Sequence, residues 1–491
     1  MASTTPRRRR GVRGRTVLGF ALVAALAPWV PGPAVAPALV APAVIDHPNV
    51  ILILTDDQRF DSLFAMPHVR RELMANGVTF DQAIVSNSVC CPSRASILTG
   101  GYSHTTHVYT NVYTSWSPYG AWPAFRDAGD EKGTIAATLH EAGYRTALFG
   151  KYLNDFNGRH APVGWDRFST FVDSPMGGAY YDYSLFERNG DGSHVQRYGS
   201  AAADYSTSVI ARKALSFLRT TPSTSPFFLY VAPVAPHAAT VPAPQDIGTW
   251  SGFRQTLRPS FDETDVSDKP GYIRALSPIP EAEIRRHYEL QYEALQAVDR
   301  MVGAILDELR RSDRLNDTLI VFMSDNGVEF GEHRWTYKLT PYEESIRVPM
   351  VVRFDPMTRT LAGTTSEALV SNVDMAPTIA DIAGVPFQGV GTVDGVSIAP
   401  LLAGTASAVR SGVLLEHIDY PGHYHVPSYC GIRTPGWVYA RYDGGWEELY
   451  RLRSDPYELN NVADSATDEL RTLRARTRAL CRPLPPEYRW S

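Results

Sequence analysis

Two apolar segments that each run into polar side chains constrain the fold of this chain more than any other feature. Residues 49–55, Asn-Val-Ile-Leu-Ile-Leu-Thr, and 318–323, Thr-Leu-Ile-Val-Phe-Met, have the apolar pattern of strands buried on both faces. The first leads into Asp56 and Asp57, and the second leads into residues 324–326, Ser-Asp-Asn. Ligands of parallel sheets collect outside the carboxyl ends of the strands. The pattern therefore predicts an α/β fold with a binding site at one edge of the sheet.

The side chains at these two strand ends are suited to a divalent cation. Asp56 and Asp57 are adjacent carboxylates, which repel each other unless a positive charge lies between them. Asp325 and Asn326 add a carboxylate and an amide oxygen at the second strand end. Oxygen ligands favour a hard cation, and both Ca²⁺ and Mg²⁺ fit these residue types. For Asp56 and Asp57 taken alone, a solvated turn that caps the next helix is the alternative interpretation.

The segment 88–100 places a thiol, a proline and an arginine in fixed order, Ser-Val-Cys-Cys-Pro-Ser-Arg-Ala-Ser-Ile-Leu-Thr-Gly. Two cysteines alone would be interpreted as small buried residues. The whole segment, however, resembles the sulfatase motif Cys-x-Pro-Ser-Arg followed by Leu-Thr-Gly, with Cys90 as its first cysteine and Cys91 at the variable position. The resemblance implies that a formylglycine-generating enzyme oxidises Cys90 to Cα-formylglycine (3-oxoalanine) during maturation.

The resemblance also has implications for the metal site and the fold. It implies one divalent cation, Ca²⁺ rather than Mg²⁺, held by Asp56, Asp57, Asp325 and Asn326 with the modified Cys90. It implies an α/β/α sandwich of the alkaline-phosphatase-like superfamily, in which a large, mostly parallel mixed sheet is followed by a small C-terminal antiparallel sheet. A hydrated aldehyde suits sulfate transfer, because one hydroxyl attacks sulfur and the other expels sulfate intramolecularly.

Three cationic side chains match sulfate-site positions of that family. Arg94 lies four residues after Cys90 in a helix predicted to open after Pro92, so the two side chains share a helix face. The resemblance assigns Lys151 and Lys338 to lysines that stabilise sulfate oxygens as fixed positive charges. A surface position is the alternative interpretation for Arg94 and for Lys338.

Histidines supply the candidate proton donors. His237 follows the apolar strand predicted at 227–233, and it matches a family histidine that binds a sulfate oxygen or protonates the leaving alcohol. Leu153 stands where a second histidine is common, so that relay is missing or is taken over by another side chain. The candidates for this role or for substrate binding are Asn154, His104, His107 and His333, and a solvated or surface role is open for each histidine.

The substrate is expected to be a sulfate monoester of a sugar 6-hydroxyl or of a phenol. The form Gly-Lys-Tyr-Leu-Asn at 150–154 and the doubled cysteine at 90–91 are similar to N-acetylglucosamine-6-sulfatases and extracellular heparan endosulfatases. Two alternatives use the same residues: a phosphonate or phosphate monoester hydrolase, and a non-catalytic binder of sulfated glycans.

Residues 1–43 have the pattern of an export signal and linker, which predicts a secreted protein. Six arginines lie within residues 7–15, and the apolar run 17–30 follows them. Pro28 interrupts this run, which is too short for a stable membrane span, although a retained signal anchor is an alternative. The net charge of −5 becomes more negative once these arginines are removed, so nucleic acid is not an expected partner.

The chain divides into a predicted catalytic domain, 44–410, and a C-terminal subdomain, 411–491, where short aromatic strands begin. An amphipathic helix is predicted over roughly 281–310. Residues 240–280 are rich in Pro, Ser, Asp and Gly, which indicates an insertion near the mouth of the site that could shape substrate choice.

Four cysteines occur in the chain, at positions 90, 91, 430 and 481. Export favours a disulfide between Cys430 and Cys481 that staples the C-terminal part, and two free buried thiols are the alternative. The cysteines are not grouped with histidines at ligand spacing, so no cysteine-based zinc site is indicated.

Overall fold

The computed structural model describes residues 47–115, 117–172, 179–190, 192–419 and 425–490. The predicted export signal and linker, residues 1–43, lie outside this part of the chain. Among the described residues, no helix combines the length and the apolar composition needed to cross a bilayer.

Fourteen strands occur in the described residues. They are β1 (Asn49–Thr55), β2 (Val78–Ile84), β3 (Arg145–Gly150), β4 (Arg167–Val172), β5 (Tyr183–Asn189), β6 (Gly192–Tyr198), β7 (Phe227–Ala232), β8 (Thr318–Ser324), β9 (Met350–Arg353), β10 (Thr364–Ser371), β11 (Val413–His417), β12 (Tyr429–Thr434), β13 (Trp437–Tyr442) and β14 (Glu447–Arg451).

The same part of the chain forms twelve α-helices, several of them a single turn. They are α1 (Cys90–Thr99), α2 (Ser103–Thr106), α3 (Ala121–Asp127), α4 (Ile135–Glu141), α5 (Ser206–Thr220), α6 (Gly271–Arg274), α7 (Glu281–Arg311), α8 (Glu343–Ile346), α9 (Asp355–Thr358), α10 (Met375–Ala383), α11 (Ala399–Leu402) and α12 (Thr467–Leu480).

The larger sheet has ten strands in the order β10-β2-β9-β8-β1-β7-β3-β4-β5-β6. Its centre, β8-β1-β7-β3-β4, is parallel throughout, and β9, β5 and β6 introduce antiparallel pairs on either side. The predicted strands at 49–55, 227–233 and 318–323 are all in this parallel centre, so their carboxyl ends meet at one edge. The predicted large, mostly parallel mixed sheet is confirmed.

Helices cover both faces of this sheet. Along β1, Val50, Leu52 and Leu54 pack into a core that includes residues of α1, α3, α4 and α10. The intervening Ile51 and Ile53 pack into a second core with α5 and α7. Alternate side chains of a strand point to opposite faces, so the two cores lie on opposite sides of the sheet. This arrangement confirms the predicted three-layer sandwich.

Helix α1 differs from the prediction in where it begins. It starts at Cys90, three residues before Ser93, the first position after Pro92. Proline is tolerated there because the backbone N–H groups of the first helical turn have no partner within the helix. Cys90 therefore occupies the first position of the helix, at the positive end of the helix dipole.

Two further predictions concern the region before and within α7. The predicted helix at 281–310 is confirmed as α7, Glu281–Arg311, whose apolar face packs on the sheet. Residues 240–280 contain only the single-turn α6 and are otherwise irregular, in agreement with the expected insertion.

The C-terminal part forms a separate four-stranded antiparallel sheet in the order β11-β12-β13-β14, which confirms that element of the predicted fold. One face packs against core residues that include Trp335, Leu339 and Tyr342. Helix α12, which the sequence pattern did not indicate, contributes Leu473 to the other face. Cys430 of β12 and Cys481, just after α12, form a disulfide. The domain boundary at 410/411 stays a prediction.

Candidate active site

Four parallel strands deliver polar side chains to the same edge of the sheet. β1 leads into Asp56 and Asp57, β8 into Asp325 and Asn326, β3 into Lys151, and β7 into the loop that carries His237. Cys90 and Arg94 reach this edge from α1, and Lys338 reaches it from the loop before α8. The nine residues that share this edge, here called the strand-end cluster, are Asp56, Asp57, Cys90, Arg94, Lys151, His237, Asp325, Asn326 and Lys338.

Cys90 lies at the centre of the cluster. The ammonium of Lys338 donates a hydrogen bond to its Sγ at 2.8 Å. The same sulfur lies 3.5 Å from Oδ1 of Asp56 and 4.0 Å from Oδ1 of Asp57. Cys91, one residue further along the helix, instead packs into the apolar core. Only the first cysteine of the pair is therefore placed to react with a molecule bound in the cluster.

Each carboxylate of the cluster is paired with a fixed positive charge. Nζ of Lys151 donates to Oδ2 of Asp56 at 2.6 Å, and Nζ of Lys338 donates to Oδ1 of Asp57 at 2.5 Å. In the third pair, Nε of Arg94 donates to Oδ2 of Asp325 at 2.7 Å. Three buried carboxylates thus face three cations, and a divalent ion bound among them would leave net positive charge to attract an anionic substrate.

Burial and charge act in opposite directions on the titratable groups here. Burial favours the neutral form of Asp56, but Lys151 and the other nearby cations outweigh it and hold the pKa of that carboxyl far below its usual range. Burial, together with the carboxylate of Asp56, raises the pKa of Asp325. Burial also raises the pKa of the Cys90 thiol to about 11, despite the neighbouring lysines. An unmodified Cys90 is therefore a thiol at neutral pH and a poor nucleophile.

Some oxygen atoms of the cluster could hold a hard cation. Ligand atoms of Asp56 and Asp57 lie within 4.8 Å of each other and of ligand atoms of Cys90 and His237, and Asp325 is not part of this group. The amide of Asn326 donates from Nδ2 to Oδ1 of Asp57 at 2.6 Å, while its Oδ1 is buried and has no hydrogen-bond partner in the described part of the chain. A buried acceptor without a donor is costly, and a cation at this position would satisfy it.

Close backbone contacts hold two of these strand ends in place. Gly150, before Lys151, has φ +117°, and a Cβ there would lie 1.9 Å from the carbonyl oxygen of Ala232. Gly327, after Asn326, approaches the carbonyl oxygen of Glu344 so closely that a Cβ would lie 2.1 Å from it. Only glycine permits such contacts. Substitution at either glycine would therefore displace a residue of the cluster.

The cluster is reached from the side of His237. This histidine is 8% exposed and Asp57 is 4% exposed, whereas the other seven members are fully buried. Nε2 of His237 lies 3.6 Å from Oδ2 of Asp57, and its Nδ1 is held by the carbonyl oxygen of Ala238. Burial lowers the pKa of His237. His237 thus lies where a substrate would enter, with Nε2 directed at the metal-type ligands.

The side chains of the remaining candidate residues form no hydrogen bond or ion pair with the strand-end cluster in the described part of the chain. His104 is bound through Nδ1 to Glu416 at 2.7 Å; burial would lower the pKa of His104, but this contact outweighs it and raises that pKa. His107 is exposed. Asn154 is nearly buried, and its Oδ1 lacks a hydrogen-bond partner among the described residues. His333 is fully buried against Glu263. Their predicted substrate contacts stay predictions.

One positioning residue escaped the sequence analysis. Gln291 of α7 is buried and donates from Nε2 to the backbone carbonyl of Asp57 at 3.3 Å. Asp57 has φ 60°, in the left-handed region, so its backbone needs such support. The signal in the sequence was a single amide side chain one turn before Leu295, on the otherwise apolar face of the helix.

Comparison with protein-family models identifies two matches. Residues 48–385 match the model described as "Sulfatase". Residues 331–479 match the model described as "N-sulphoglucosamine sulphohydrolase, C-terminal". Together the two matches include every residue of the strand-end cluster and the C-terminal sheet.

Similar proteins include two that are named as sulfatases, and a solved structure is similar to the fold. An extracellular sulfatase SULF-1 homolog of Drosophila melanogaster is 35% identical over 74% of this chain, which spans only 32% of that relative. The N-acetylglucosamine-6-sulfatase of Capra hircus is 30% identical, covering 86% of this chain and 81% of that protein. The solved structure of BT4656 in complex with its substrate D-glucosamine-2-N,6-O-disulfate superposes with a TM-score of 0.76 at 25% identity, covering 89% of this chain and 98% of that one.

Proposed function

Because the chain belongs to the sulfatase family of sulfuric ester hydrolases, we propose that its strand-end cluster hydrolyses a sulfate monoester with Cys90, oxidised to formylglycine, as the nucleophile. The single observation that carries this proposal is the position of Cys90. Its Sγ lies within 4.0 Å of Lys338, Asp56 and Asp57, at the first position of a helix. An unmodified thiol with a pKa of about 11 would be a poor nucleophile there, which supports oxidation as the activating step.

The modified side chain supplies two hydroxyls when hydrated, one to attack sulfur and one to release sulfate. Nζ of Lys338 lies 2.8 Å from Sγ of Cys90, the position that an oxygen of the hydrated aldehyde would take after oxidation. Its charge would therefore stabilise negative charge that develops on the nucleophile and on sulfate oxygens. Lys151 and Arg94 fix the carboxylates and add positive charge on the opposite side. These contacts are present before substrate binds, which is the preorganisation that electrostatic catalysis requires.

His237 is the proposed proton donor to the leaving alcohol. An alkoxide is a poor leaving group, so a proton delivered to the bridging oxygen lowers the barrier. Nε2 of His237 lies at the exposed side of the cluster, where the alcohol part of a substrate would be. Burial lowers the pKa of His237, so this role requires the negative charge of the bound sulfate ester to favour the protonated imidazole. Leu153 is buried in the apolar core and cannot supply a second proton relay.

Asp56, Asp57, Asp325 and Asn326 are the proposed ligands of one divalent cation. The carboxylate oxygens of the three aspartates and the unpartnered Oδ1 of Asn326 favour Ca²⁺ as the bound ion, with Mg²⁺ as the alternative. When bound, such an ion would polarise a sulfate oxygen and favour ionisation of the hydrated aldehyde.

The proposed substrate is a 6-O-sulfated amino sugar. The caprine relative and the BT4656 structure carry names that refer to 6-O-sulfated glucosamine. We further propose that the protein is secreted after removal of residues 1–43, and that a formylglycine-generating enzyme modifies Cys90 during maturation. The extracellular relative supports the compartment.

A substrate panel tests the proposal. Purified, modified enzyme should release sulfate from N-acetylglucosamine-6-sulfate at least tenfold faster than from the 3-sulfate, and it should also cleave p-nitrophenyl sulfate. Phenylphosphonate monoesters should react more slowly than the aryl sulfate. Enzyme that is active on phosphonates and inactive on every sulfate ester would contradict the proposal. A modified enzyme that binds sulfated glycans without turnover would favour a binding function.

A further inference from the structure

A second group of potential ligands lies outside the strand-end cluster. It consists of His333, Glu344 and Glu458, whose ligand atoms all lie within 4.8 Å of one another. All three side chains are buried, with 0–2% of their surface exposed. The proposed sulfate chemistry uses none of them.

His333 is oriented in the manner of a metal ligand. Its Nδ1 lies 2.7 Å from Oε2 of Glu263, and its ring packs on Tyr342 with centroids 4.2 Å apart. A ring whose Nδ1–H is donated to a carboxylate has its lone pair on Nε2. Nε2 of His333 is buried and has no hydrogen-bond partner among the described residues. Histidines that bind metals commonly donate their other ring N–H to a carboxylate, as here.

Glu458 likewise presents an acceptor that nothing satisfies. Its Oε2 accepts the backbone N–H of Glu343 at 2.9 Å. Its Oε1 is buried and lacks a hydrogen-bond partner in the part of the chain that the structure describes. The carboxylate of Glu344 completes the group, and the nearest cationic atom paired with it, NH1 of Arg258, is 3.8 Å away.

Neighbouring cations are committed to other carboxylates. Arg433 binds Glu343 through two hydrogen bonds, at 2.8 and 3.2 Å. Arg59 binds Glu332 through its NH2 at 2.8 Å, and the ammonium of Lys269 is shared between Glu263 and Asp268.

We propose that Nε2 of His333 and the carboxylates of Glu344 and Glu458 bind a divalent transition-metal ion of the Zn²⁺ type. Nε2 of His333 and Oε1 of Glu458 have no hydrogen-bond donor among the described residues, and they lie close to the carboxylate of Glu344. A cation shared by the three groups would satisfy both unpartnered acceptors and reduce the repulsion between the two carboxylates. One imidazole and two carboxylates suit Zn²⁺, whereas Ca²⁺ and Mg²⁺ favour oxygen ligands alone. Glu263 orients the histidine from outside the ligand set.

The position of this site gives it a structural role. His333 and Glu344 lie on either side of Lys338 in sequence, in the segment that ends at α8. Glu458 follows β14, in the C-terminal part of the chain. A metal bound by these three side chains would link the C-terminal part of the chain to residues 333–344, the segment that places Lys338 beside Cys90.

Metal stoichiometry tests the proposal. The full-length enzyme, stripped of metals with a chelator and resaturated with Ca²⁺, would be dialysed against Zn²⁺ and analysed by inductively coupled plasma mass spectrometry. The wild type should bind one more equivalent of zinc than the His333→Gln and Glu458→Gln variants, and zinc should raise the Tm of the wild type but not the Tm of these two variants. Glu263→Gln should weaken zinc binding by about 10- to 100-fold, as expected for a residue that orients a ligand.

His417→Gln is the matched control. His417 is also buried and has an unpartnered ring nitrogen, Nδ1, but it belongs to no such group of ligands in the described residues. This variant should retain the extra zinc. Equal zinc content in wild type and all variants would overturn the proposal, as would a Glu458→Gln variant that is more stable than wild type with and without zinc.

X-ray absorption of the zinc-loaded wild type keeps the test decisive if the variants do not fold. The proposal predicts one imidazole nitrogen and oxygen ligands at about 2.0–2.2 Å. A shell that contains sulfur, or that contains no imidazole, would overturn it.

Discussion

At the residue scale, the adjacent Cys90 and Cys91 have the same side chain but different environments. Successive helical residues point about 100° apart, so one thiol faces the strand-end cluster while the other packs in the core. The motif in the sequence predicted that Cys90 is the one that reacts, but it could not show what surrounds the sulfur. The contact between Lys338 and Sγ joins residues 248 positions apart and depends on the whole fold.

Loss of Lys338 should slow the chemical step severely. The Lys338→Ala variant is expected to reduce kcat on a sulfate ester by about 100- to 1,000-fold, because one preorganised positive charge beside the nucleophile is removed. Steady-state kinetics on p-nitrophenyl sulfate would measure this loss. The control is Lys132→Ala, at an exposed position, which should leave kcat unchanged. A Lys338→Ala enzyme that is folded and retains wild-type kcat would contradict the assigned role.

The role of His237 predicts a dependence on the leaving group. His237→Ala should lower the rate on a sugar 6-sulfate by about 100- to 10,000-fold, which is the usual contribution of general acid catalysis. The loss on p-nitrophenyl sulfate should be much smaller, because a nitrophenolate leaves without a proton. His194→Ala, at an exposed position on β6, serves as the control. Equal losses on both substrates would exclude His237 as the proton donor.

At the scale of elements, the buried strands and the short C-terminal strands were predictable, and helix α12 was not. β1, β7 and β8 have continuous apolar runs, so each is recognisable as a buried strand from its own sequence. Helix α12 carries several arginines and only a narrow apolar face, so its sequence does not differ clearly from a solvated segment. The start of α1 was misplaced because a proline can stand inside the first helical turn.

An ion pair joins Arg433 of β12, in the C-terminal sheet, to Glu343 of α8. The sequence did not predict this contact. Both side chains are buried and bonded twice. Arg433→Met should destabilise the protein by about 3–5 kcal/mol, because it leaves Glu343 buried with reduced compensation. Denaturant unfolding would measure this change.

Two variants control that measurement. The double variant Glu343→Gln/Arg433→Met should recover most of the lost stability, since no uncompensated charge remains. The exposed Arg453→Met should change stability by less than about 0.5 kcal/mol. If Arg433→Met is as mild as Arg453→Met, the pair does not stabilise the contact between α8 and β12.

At the scale of the whole molecule, the site depends on parts that are far apart in the chain. The strand ends come from β1, β3, β7 and β8, and the C-terminal sheet packs on the segment that carries Lys338. Order along the chain and strand pattern predicted which residues meet. The shape that selects one sugar sulfate over another depends on loop conformations such as that of 240–280, which carry no periodic signal.

Removal of the divalent cation should abolish turnover while leaving the fold intact. Dialysis against EDTA is expected to lower kcat at least about 100-fold, because the ion supplies several kcal/mol of transition-state stabilisation. Readdition of Ca²⁺ should restore activity more fully than Mg²⁺. EDTA saturated with Ca²⁺ beforehand serves as the control for the chelator. Full activity after complete metal removal would contradict the assigned ligands Asp56, Asp57, Asp325 and Asn326.

The mass of the tryptic peptide Glu72–Arg94, from protein isolated from its native host, tests the proposed catalysis most directly. This peptide contains both Cys90 and Cys91, and fragmentation distinguishes them. If the protein is a formylglycine-dependent sulfatase, we expect Cys90 to have lost its sulfur and gained an aldehyde oxygen, while Cys91 remains a thiol. An intact thiol at Cys90 in enzyme that hydrolyses sulfate esters would contradict the mechanism.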